Sequence, residues 1–309
     1  GDAKPLPPYL TRARMLWDDD FLYVAAQMEE PHVWGDSTRR NSVIFYDNDF
    51  EIFVDPDGDN HNYYEFEVNA LNTIWELTLE KPYKDGGPAI SPTNLPGLRS
   101  AVFVDGTLNA SHDLARGWSV EVALPLGPLA SYNGGRRPAS GDLWRINFSR
   151  VQWQHRLTGT GDYEKVPDTR ENNWVWSPQG IIDMHRPERW GFLRFTDAAP
   201  GTAAFESDPT LAARDLLMEV YHAQKSYREA HDRWAPTLDA LGLETPSASV
   251  ADLVDTMWPR RERSLSMTVY SDARAAFRAS RGTSCGGLSG EVLVRRCRWP
   301  LLTGRSHTR

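Results

Sequence analysis

Acidic side chains recur on two alternating stretches of the segment Phe50–Asn72, which reads FEIFVDPDGDNHNYYEFEVNALN. Successive side chains of a β-strand point to opposite faces. In the first stretch Glu51 therefore points away from its apolar neighbours, and in the second stretch Glu65, Glu67 and Asn69 do the same. Like charges opposite one another destabilise a sheet. The row therefore predicts a ligand that faces these side chains.

Three kinds of ligand chemistry suit such a row. Carboxylate and amide oxygens accept hydrogen bonds from sugar hydroxyls, and they coordinate hard cations. A pair of carboxyl groups at a set separation can also hydrolyse a glycosidic bond. A solvated face without a ligand is the fourth interpretation, and the residue types leave all four open.

The turn between the two stretches carries three more aspartates, in the order Asp-Pro-Asp-Gly-Asp-Asn-His. The spacing of Asp55, Asp57 and Asp59 resembles the start of an EF-hand calcium loop. However, the glycine comes at the fourth position instead of the sixth, and Phe66 occupies the twelfth. Asp-Gly between alternating strands is a strong hairpin signal. A hairpin turn is therefore the first interpretation of this segment, and a calcium site at the three aspartates is the second.

The elements that position these side chains are predicted from alternation and from clusters of turn-forming residues. Short runs rich in Val, Ile, Phe, Tyr and Trp, separated by Gly, Pro, Asn and Asp, are typical of β-sandwiches. We therefore expect residues 1–199 to form a mainly β fold, an antiparallel β-sandwich of immunoglobulin-like or jelly-roll-like type. The predicted strand-forming segments are Phe21–Met28, Ser42–Asp55, Tyr63–Leu71, Thr73–Glu80, Ser100–Gly106, Trp118–Pro125, Leu143–Gln154 and Asn173–Phe195.

The pattern changes after residue 199. Apolar residues recur at helical spacing from Leu211 onward, with Asp208 as a candidate N-cap and Pro209 at the first helical position. Residues 200–245 are therefore predicted to form a small C-terminal helical appendage. Residues 246–309 are rich in arginine and poor in pattern, which predicts a weakly ordered tail with one strand near its start, in MWPRRERSLSMTVY.

Composition narrows the classes of function. A net charge of -8 over 309 residues is unfavourable for binding nucleic acid, and the absence of any run of 18 apolar residues predicts no membrane span. Cys285 and Cys297 are too few for a disulfide scaffold or a zinc finger. The sequence contains no GxSxG motif, no paired-histidine spacing and no phosphate-cradling glycine loop. No catalytic residue is therefore assigned.

Tryptophan is abundant, with 12 residues. An indole is an apolar plate with one N–H donor, which suits both protein cores and sugar-stacking surfaces. Trp174 and Trp176 alternate with Val175, so the two indoles share one face of their strand. Met184 and His185 offer haem-ligand chemistry as an alternative to simple packing in a turn.

Five motifs occur in order from about Leu16 to Phe195. They are MLWDDDFLYVAAQMEEPHVW, SVIFYDNDFEIFVDPDGDNHNYYEFEVNALN, RGWSVEVALP, GDLWRINFSRVQW and WSPQGIIDMHRPERWGFLRF. This series resembles the family 9 carbohydrate-binding module, and more closely the family 9-like group of secreted bacterial proteins. The resemblance implies a glycan-binding β-sandwich, export from the cell, structural calcium in some members and attachment to glycoside hydrolases in others. A related branch of the sandwich binds haem.

The resemblance carries over unevenly to individual residues. The acidic residue that the family uses for sugar hydroxyls falls on Glu51, whereas its arginine on the next strand falls on Glu67, a reversal of charge. Its two sugar-sandwiching indoles fall near Phe45 and Met184. The hypothesised replacements for an indole are Trp174, Trp176 and Trp190. The family's usual first strand is represented only by GDAKPLPPYLTRAR, so we expect a truncated start or a sandwich that lacks this strand.

We therefore expect a non-catalytic carbohydrate-binding domain, secreted or periplasmic, that supports polysaccharide degradation or uptake and takes an oligo- or polysaccharide. The predicted carbohydrate-binding residues are Phe45, Glu51, Glu65, Glu67, Asn69, Arg150, Trp174 and Trp176. The predicted metal site is a structural calcium site at Asp55, Asp57 and Asp59. The alternatives are a glycoside hydrolase that uses Glu51 and Glu67, a haem-binding sandwich, and a scaffold that docks through the helix Leu211–Trp234.

Overall fold

The computed structural model describes residues 6–158, 162–199, 202–206, 208, 210–237, 239–243, 265–268 and 290–295; for residues 212, 213 and 239 and for the last two stretches it describes the backbone alone. Contacts divide the chain into two compact units. The first comprises the described residues up to Ala203 together with those from Leu265 onward. The second lies within Ala204–Ser264.

The first unit is built mainly from β-strands. In chain order, the described strands are β1 (Thr11–Trp17), β2 (Phe21–Glu29), β3 (Asp49–Asp55), β4 (Tyr63–Asn69), β5 (Ile74–Leu79), β6 (Ala89–Ile90), β7 (Arg99–Asp105), β8 (Gly117–Pro125), β9 (Leu143–Gln152), β10 (His155–Leu157), β11 (Tyr163–Lys165), β12 (Asn172–Val175), β13 (Gly191–Thr196), β14 (Leu265–Thr268) and β15 (Gly290–Arg295). The described helices are α1 (Leu126–Leu129) and α2 (Leu211–His231), with 3-10 turns at Ile44–Tyr46, Tyr83–Asp85, Ala130–Asn133, Pro187–Arg189 and Asp239–Leu241.

These strands form two main sheets. In the smaller sheet the order is β1-β2-β8-β7, and each neighbouring pair is antiparallel. In the larger sheet the order is β14-β15-β13-β9-β3-β4-β5-β6, and β12 also pairs with β9. Strand β15 runs parallel to both β13 and β14, whereas the remaining pairs of this sheet are antiparallel. β10 and β11 form a separate hairpin.

The hydrophobic core lies between the two sheets and follows from alternation along the strands. In β2 every second residue from Leu22 to Met28 is buried, and in β3 Phe50, Ile52 and Val54 join the same apolar cluster. Trp17 of β1 donates its indole N–H to the carbonyl oxygen of Thr196 in β13, at 3.2 Å. The predicted fold, a mainly β antiparallel sandwich with a C-terminal helix, is confirmed.

Strand β1 is an element that the sequence pattern does not predict. Arg12 and Arg14 occupy alternate positions of this short strand, so its apolar alternation is difficult to recognise in the sequence. Both arginines are exposed, while Ala13 and Met15 pack against the core. β1 pairs along its whole length with β2 and forms an edge of the smaller sheet.

The predicted strand Ser42–Asp55 is shorter in the structure. A 3-10 turn at Ile44–Tyr46 precedes β3, and the backbone N–H of Asp47 closes the turn on the carbonyl oxygen of Ile44 at 2.8 Å. Only Ile44 of that turn is buried. The neighbouring Phe45 and Tyr46 are therefore carried on a turn above the sheet and are not part of its strands.

The second unit contains α2, which agrees with the helix predicted from Leu211. Thr210 precedes its first residue, and the carboxylate of Asp208 accepts a hydrogen bond from the Thr210 backbone N–H at 2.8 Å. Pro209 lies outside the described residues. None of the described helices is long and apolar enough to cross a membrane.

Two strands lie in the region predicted to be a weakly ordered tail. β14 falls in MWPRRERSLSMTVY, where one strand is predicted, whereas β15 is not predicted. Both extend the larger sheet beyond β13. The rest of the predicted tail 246–309, including Cys285 and Cys297, lies outside the described residues.

Candidate functional site

The acidic row lies on the outer face of the larger sheet, the face that points away from the smaller sheet. In the register of β3 with β4, Glu51 lies opposite Glu67, Asp49 lies opposite Asn69, and Glu65 lies one alternation further along the same face. The structure thus brings the predicted row together. Asp49 is an additional member that the sequence reasoning missed, although one more step of the β3 alternation reaches it.

The row is buried, which differs from the expectation of an open, ligand-facing surface. The exposed fraction is 0% for Asp49, 2% for Glu51, 3% for Glu65 and 2% for Glu67. Alternation places a side chain on one face of a sheet, but it does not reveal whether loops cover that face. Here the covering comes from segments distant in sequence.

Several contacts show which segments form this cover. The backbone N–H of Phe45, in the turn before β3, donates to Oε2 of Glu67 at 3.1 Å. Trp190, just before β13, packs its fully buried ring against Phe53 at a centroid distance of 5.4 Å. Residues of the loop after β5 reach the same segment, since Lys84 forms an ion pair with Glu188.

Asp49, Glu51 and Glu67 form what we call the sheet cluster. Each contributes a carboxylate oxygen, and the three oxygens lie within 4.8 Å of one another. Both oxygens of Asp49, one of Glu51 and one of the neighbouring Glu65 are buried without a partner in good hydrogen-bond geometry. Among the described residues, no lysine, arginine or histidine forms an ion pair with any of these four groups.

Burial dominates the electrostatics of the sheet cluster. Loss of solvation raises the pKa of Glu51 to about 8, although the adjacent Ser149 hydroxyl favours its charged form. Burial, followed by repulsion from Glu51, also raises the pKa values of Asp49, Glu65 and Glu67 well above the ordinary range of carboxyl groups. Several carboxylates packed in one buried place require bound protons or a cation.

Asp55, Asp57 and Asp59 form a second group, the turn cluster, in the β3–β4 hairpin. Their oxygens also lie within 4.8 Å of one another, but Asp57 and Asp59 are exposed. The buried Asp55 accepts hydrogen bonds from the backbone N–H groups of Gly58 and Asn60, each at 3.0 Å. Burial raises the pKa of Asp55 to about 8. The structure has the predicted hairpin turn here, and the calcium site stays a prediction.

The side-chain amide of Asn69 is occupied by the protein itself. Its Nδ2 donates to Oδ2 of Asp47 and to the carbonyl oxygen of Ser37, both at 2.8 Å. Its Oδ1 accepts from the backbone N–H groups of Leu71 and Thr73, at 3.1 Å and 2.9 Å. Asn69 therefore links the β4–β5 turn to the segment before β3 through hydrogen bonds, whereas the sequence predicts it as a sugar contact.

Arg150, Trp174 and Trp176, also predicted as carbohydrate-binding residues, lie on the other face of the larger sheet, so the structure does not bring them together with Glu51. Arg150 lies opposite Phe50, whose side chain is in the core. Its guanidinium is buried and donates to Glu30 at 3.3 Å. The sequence does not reveal the register of β12 with β9. In the structure this register places Trp174 beside Arg150.

The two indoles on that face make internal contacts. The Trp174 ring lies 5.2 Å from the Arg150 guanidinium and 6.2 Å from the Tyr9 ring. Trp176 packs against Phe148 of the core at 5.8 Å. Neither indole reaches the row of acids.

Phe45, Tyr46, Trp75 and Trp153 form an aromatic strip beside the sheet cluster. The Phe45 ring lies 4.9 Å from that of Tyr46 and 6.3 Å from that of Trp75, with only 30° between the planes of the Phe45 and Trp75 rings. Trp153 donates its indole N–H to the carbonyl oxygen of Phe45 at 2.8 Å. The Lys165 amine lies 3.9 Å from the Trp153 ring centre and 5.5 Å from that of Tyr46.

The strip adjoins the sheet cluster at Glu67. Trp75 of β5 is opposite Glu67 in the sheet, and Phe45 is tied to Glu67 through its backbone. Tyr46 is 56% exposed, so the strip reaches the surface. Phe45 is the one member predicted from the sequence. The position of Trp75 is predictable from the sequence. The short turn between β4 and β5 implies that these strands pair, and the pairing places Trp75 on the same face as Glu67.

Met184, His185 and Trp190 belong to the cover of the outer face. Trp190 is fully buried and donates its indole N–H to the Met184 carbonyl oxygen at 2.9 Å, so it offers no exposed plate. Nδ1 of His185 lies 2.9 Å from the Tyr63 hydroxyl, and burial lowers the pKa of His185 to about 3. The haem alternative stays a prediction from the sequence.

A model of a known protein family matches this chain. The family is described as carbohydrate family 9 binding domain-like, and its model covers residues 7–174, more than half of the chain. Among curated proteins, Exoglucanase XynX of Acetivibrio thermocellus is 30% identical over 123 residues. That alignment takes in 40% of this chain and only 9% of the exoglucanase.

Solved structures of similar chains were also found. A carbohydrate binding module family 9 from Caldicellulosiruptor kristjanssonii in complex with cellotriose aligns over 66% of this chain and 84% of that one, with 14% identity and a TM-score of 0.41. A putative carbohydrate-binding protein from Bacteroides uniformis aligns over 60% of this chain and 86% of that one, with 16% identity and a TM-score of 0.40.

Proposed function

This chain belongs to the carbohydrate family 9 binding domain-like family, and we infer that its function is non-catalytic carbohydrate binding. The observation that carries the inference is the family match over residues 7–174. It confirms the resemblance that the ordered motifs of the sequence predict. The ligand is an oligo- or polysaccharide.

We propose that the carbohydrate contacts the aromatic strip. A sugar ring presents an apolar C–H face, and an aromatic ring offers a matching plate with a large apolar area. The strip's rings are already held in place, because Trp75 donates its indole N–H to Ser91 Oγ at 2.7 Å and Trp153 donates to Phe45. Rings fixed before binding lose little conformational entropy when the ligand arrives.

Polar groups beside the strip supply contacts for hydroxyl groups. The Lys165 amine, above Trp153 and Tyr46, has three N–H donors that a sugar hydroxyl can accept from. Glu51, Glu65, Glu67 and Asn69 are buried below, so in this proposal they position the strip and do not touch the sugar. Glu67 does so directly through its hydrogen bond to the Phe45 backbone.

The finer parts of the function rest on the relatives and on the family resemblance. Because the matched curated protein is called an exoglucanase, we propose glucans as the first class of ligand to test. We also propose a secreted or periplasmic location and a role in supporting polysaccharide degradation or uptake. The 9% share of the exoglucanase gives no ground for transferring its catalytic activity to this chain.

Titration calorimetry with gluco-, xylo- and manno-oligosaccharides tests the proposal. Trp75→Ala removes one plate of the strip and is expected to weaken binding about tenfold, equivalent to ~1.4 kcal/mol. Two controls remove exposed or partly exposed rings elsewhere. Phe103→Ala acts on the smaller sheet, where the ring is 67% exposed, and Trp174→Ala acts on the other face of the larger sheet.

Both controls are expected to keep the affinity within about twofold of wild type. A loss in Trp174→Ala without a loss in Trp75→Ala would move the site to the other face. Folded wild-type protein that binds none of the three series would overturn the carbohydrate proposal. Hydrolysis of a bound oligosaccharide, abolished by Glu51→Gln, would favour the glycoside hydrolase alternative.

A further inference from the structure

We propose that the sheet cluster, Asp49, Glu51 and Glu67, is a binding site for one hard divalent cation of the calcium class. The site is separate from the turn cluster, and it goes beyond carbohydrate binding. Its ligand oxygens come from two adjacent strands in the middle of the larger sheet. The proposal rests on unmet hydrogen bonding, on the distances between oxygens and on charge.

Both oxygens of Asp49, which is fully buried, and one oxygen of Glu51 lack a donor in good hydrogen-bond geometry. The nearest donors are the Val151 backbone N–H beside Asp49 and the Ser149 hydroxyl beside Glu51. Glu65 stands outside the triad, yet it is 3% exposed and also has an unpartnered oxygen. A buried polar group without a partner costs about 1–3 kcal/mol, and more if it is charged. A cation at the centre of the cluster would satisfy these oxygens together.

The three ligand oxygens lie within 4.8 Å of one another. Calcium binds oxygen at about 2.3–2.6 Å, so two of its ligands can stand up to ~5 Å apart. Magnesium binds at about 2.0–2.1 Å, which limits that span to ~4.2 Å and demands octahedral geometry. A separation of up to 4.8 Å fits the ligand sphere of calcium, and the site is formed by the oxygen ligands that calcium binds.

The described ion pairs leave Asp49, Glu51 and Glu67 without a cationic side chain. Elsewhere in the same sandwich, buried acids do have one: Glu76 pairs with Arg40 and Glu30 pairs with Arg150. The contrast indicates that a bound cation or bound protons take the place of a cationic side chain of the described residues at this cluster.

A cation here would also strengthen the base of the aromatic strip. Glu67 accepts the Phe45 backbone N–H with the same carboxylate that would hold the ion, and a carboxylate has room for both contacts. Binding would fix the Glu67 side chain and, through it, the turn that carries Phe45 and Tyr46.

Calcium titration of EDTA-stripped protein, with no carbohydrate present, tests the site. The variant Glu51→Gln/Glu67→Gln keeps side-chain shape while removing two charges. The matched control Asp57→Asn/Asp59→Asn removes two charges from the turn cluster. Calorimetry and elemental analysis of dialysed protein give the affinity and the number of ions for each. Magnesium chloride is titrated in parallel.

The wild type is expected to bind calcium more tightly than magnesium. Glu51→Gln/Glu67→Gln is expected to lose one ion per chain, or at least tenfold in affinity. In EDTA this variant should melt at a higher temperature than wild type, because repulsion is gone, and calcium should no longer raise its melting temperature. Asp57→Asn/Asp59→Asn should retain the sheet-cluster ion.

Equal calcium binding by wild type and Glu51→Gln/Glu67→Gln would overturn the proposal, as would a wild type that binds no calcium. If the double variant does not fold, Asp49→Asn alone is assayed in the same way. Because the titration contains no sugar, a negative result leaves the carbohydrate proposal standing, and failure to bind sugar leaves this one standing.

Discussion

The sheet cluster and the turn cluster each bring three carboxyl groups within 4.8 Å of one another, yet their surroundings are opposite. In the turn cluster, Asp57 and Asp59 face solvent and the buried Asp55 accepts two backbone N–H groups. In the sheet cluster all three groups are buried, and three of their six oxygens, both of Asp49 and one of Glu51, are unpartnered. Two clusters with the same spacing of acids thus differ in their supply of hydrogen-bond donors.

The reason for this difference lies in the backbone. In the hairpin turn, backbone N–H groups that are not part of the strand ladder donate to the Asp55 side chain, with Gly58 and Asn60 at positive φ. In the sheet, the backbone N–H groups of β3 and β4 are used by the ladder between strands. A carboxylate on the sheet's face therefore needs a donor or a cation from above.

The largest expected effect is on the pH dependence of stability in EDTA. Glu51, with its pKa raised from 4.5 to about 8, is protonated below pH 4.5 in both folded and unfolded chains. Between pH 4.5 and 8 only the unfolded chain releases the proton, so stability falls as pH rises and levels off above 8. Glu51→Gln should recover on the order of 4 kcal/mol at pH 8.

Urea unfolding at a series of pH values measures this slope. The comparison variant is Glu121→Gln, at an exposed position of β8 in the smaller sheet, and it should keep the wild-type slope. Excess calcium should flatten the wild-type slope. A wild type whose stability in EDTA rises from pH 5 to 8 would contradict the account of the sheet cluster.

The next effect tests the turn cluster without metal. Asp55→Ala removes the acceptor of the Gly58 and Asn60 N–H groups and should lower the free energy of unfolding by about 1–3 kcal/mol. Asp57→Ala, at an exposed position of the same turn, should change it by less than ~0.5 kcal/mol. Denaturant melts in EDTA measure both. Equal effects of the two substitutions would show that backbone donors do not set the turn cluster apart.

The smallest effect links the sheet cluster to the aromatic strip. Removing calcium with EDTA should weaken binding about fivefold for whichever of the gluco-, xylo- or manno-oligosaccharides the wild type binds. The reason is that the turn carrying Phe45 loses part of its support. Asp57→Asn/Asp59→Asn should show the same loss as wild type, whereas Glu51→Gln/Glu67→Gln should be insensitive to EDTA. Calorimetry with and without EDTA measures this. If Asp57→Asn/Asp59→Asn lost the effect of EDTA, the coupling would run through the turn cluster, which would contradict this prediction.

Period-two alternation was enough to predict most strands and the shared face of Glu51, Glu65 and Glu67. That signal is local, since it depends on neighbours in one strand. It failed at β1, where Arg12 and Arg14 occupy the exposed positions and mask the apolar face.

Burial of the acids and the position of the indoles were not predictable in the same way. The acids are covered by the turn before β3, the loop after β5 and the segment before β13, which come together only in the folded chain. Trp174 and Trp176 do share a face, but the face is set by the register of β12 with β9. A single sequence does not contain that register.

A crystal structure of the wild type grown in calcium tests the central claim most directly. Anomalous scattering is measured at a wavelength where calcium contributes. The account predicts a peak among Asp49, Glu51 and Glu67, about 2.3–2.6 Å from one oxygen of each. Carboxyl groups bonded only to one another or to water at that position, with calcium bound at the turn cluster alone or nowhere, would contradict it.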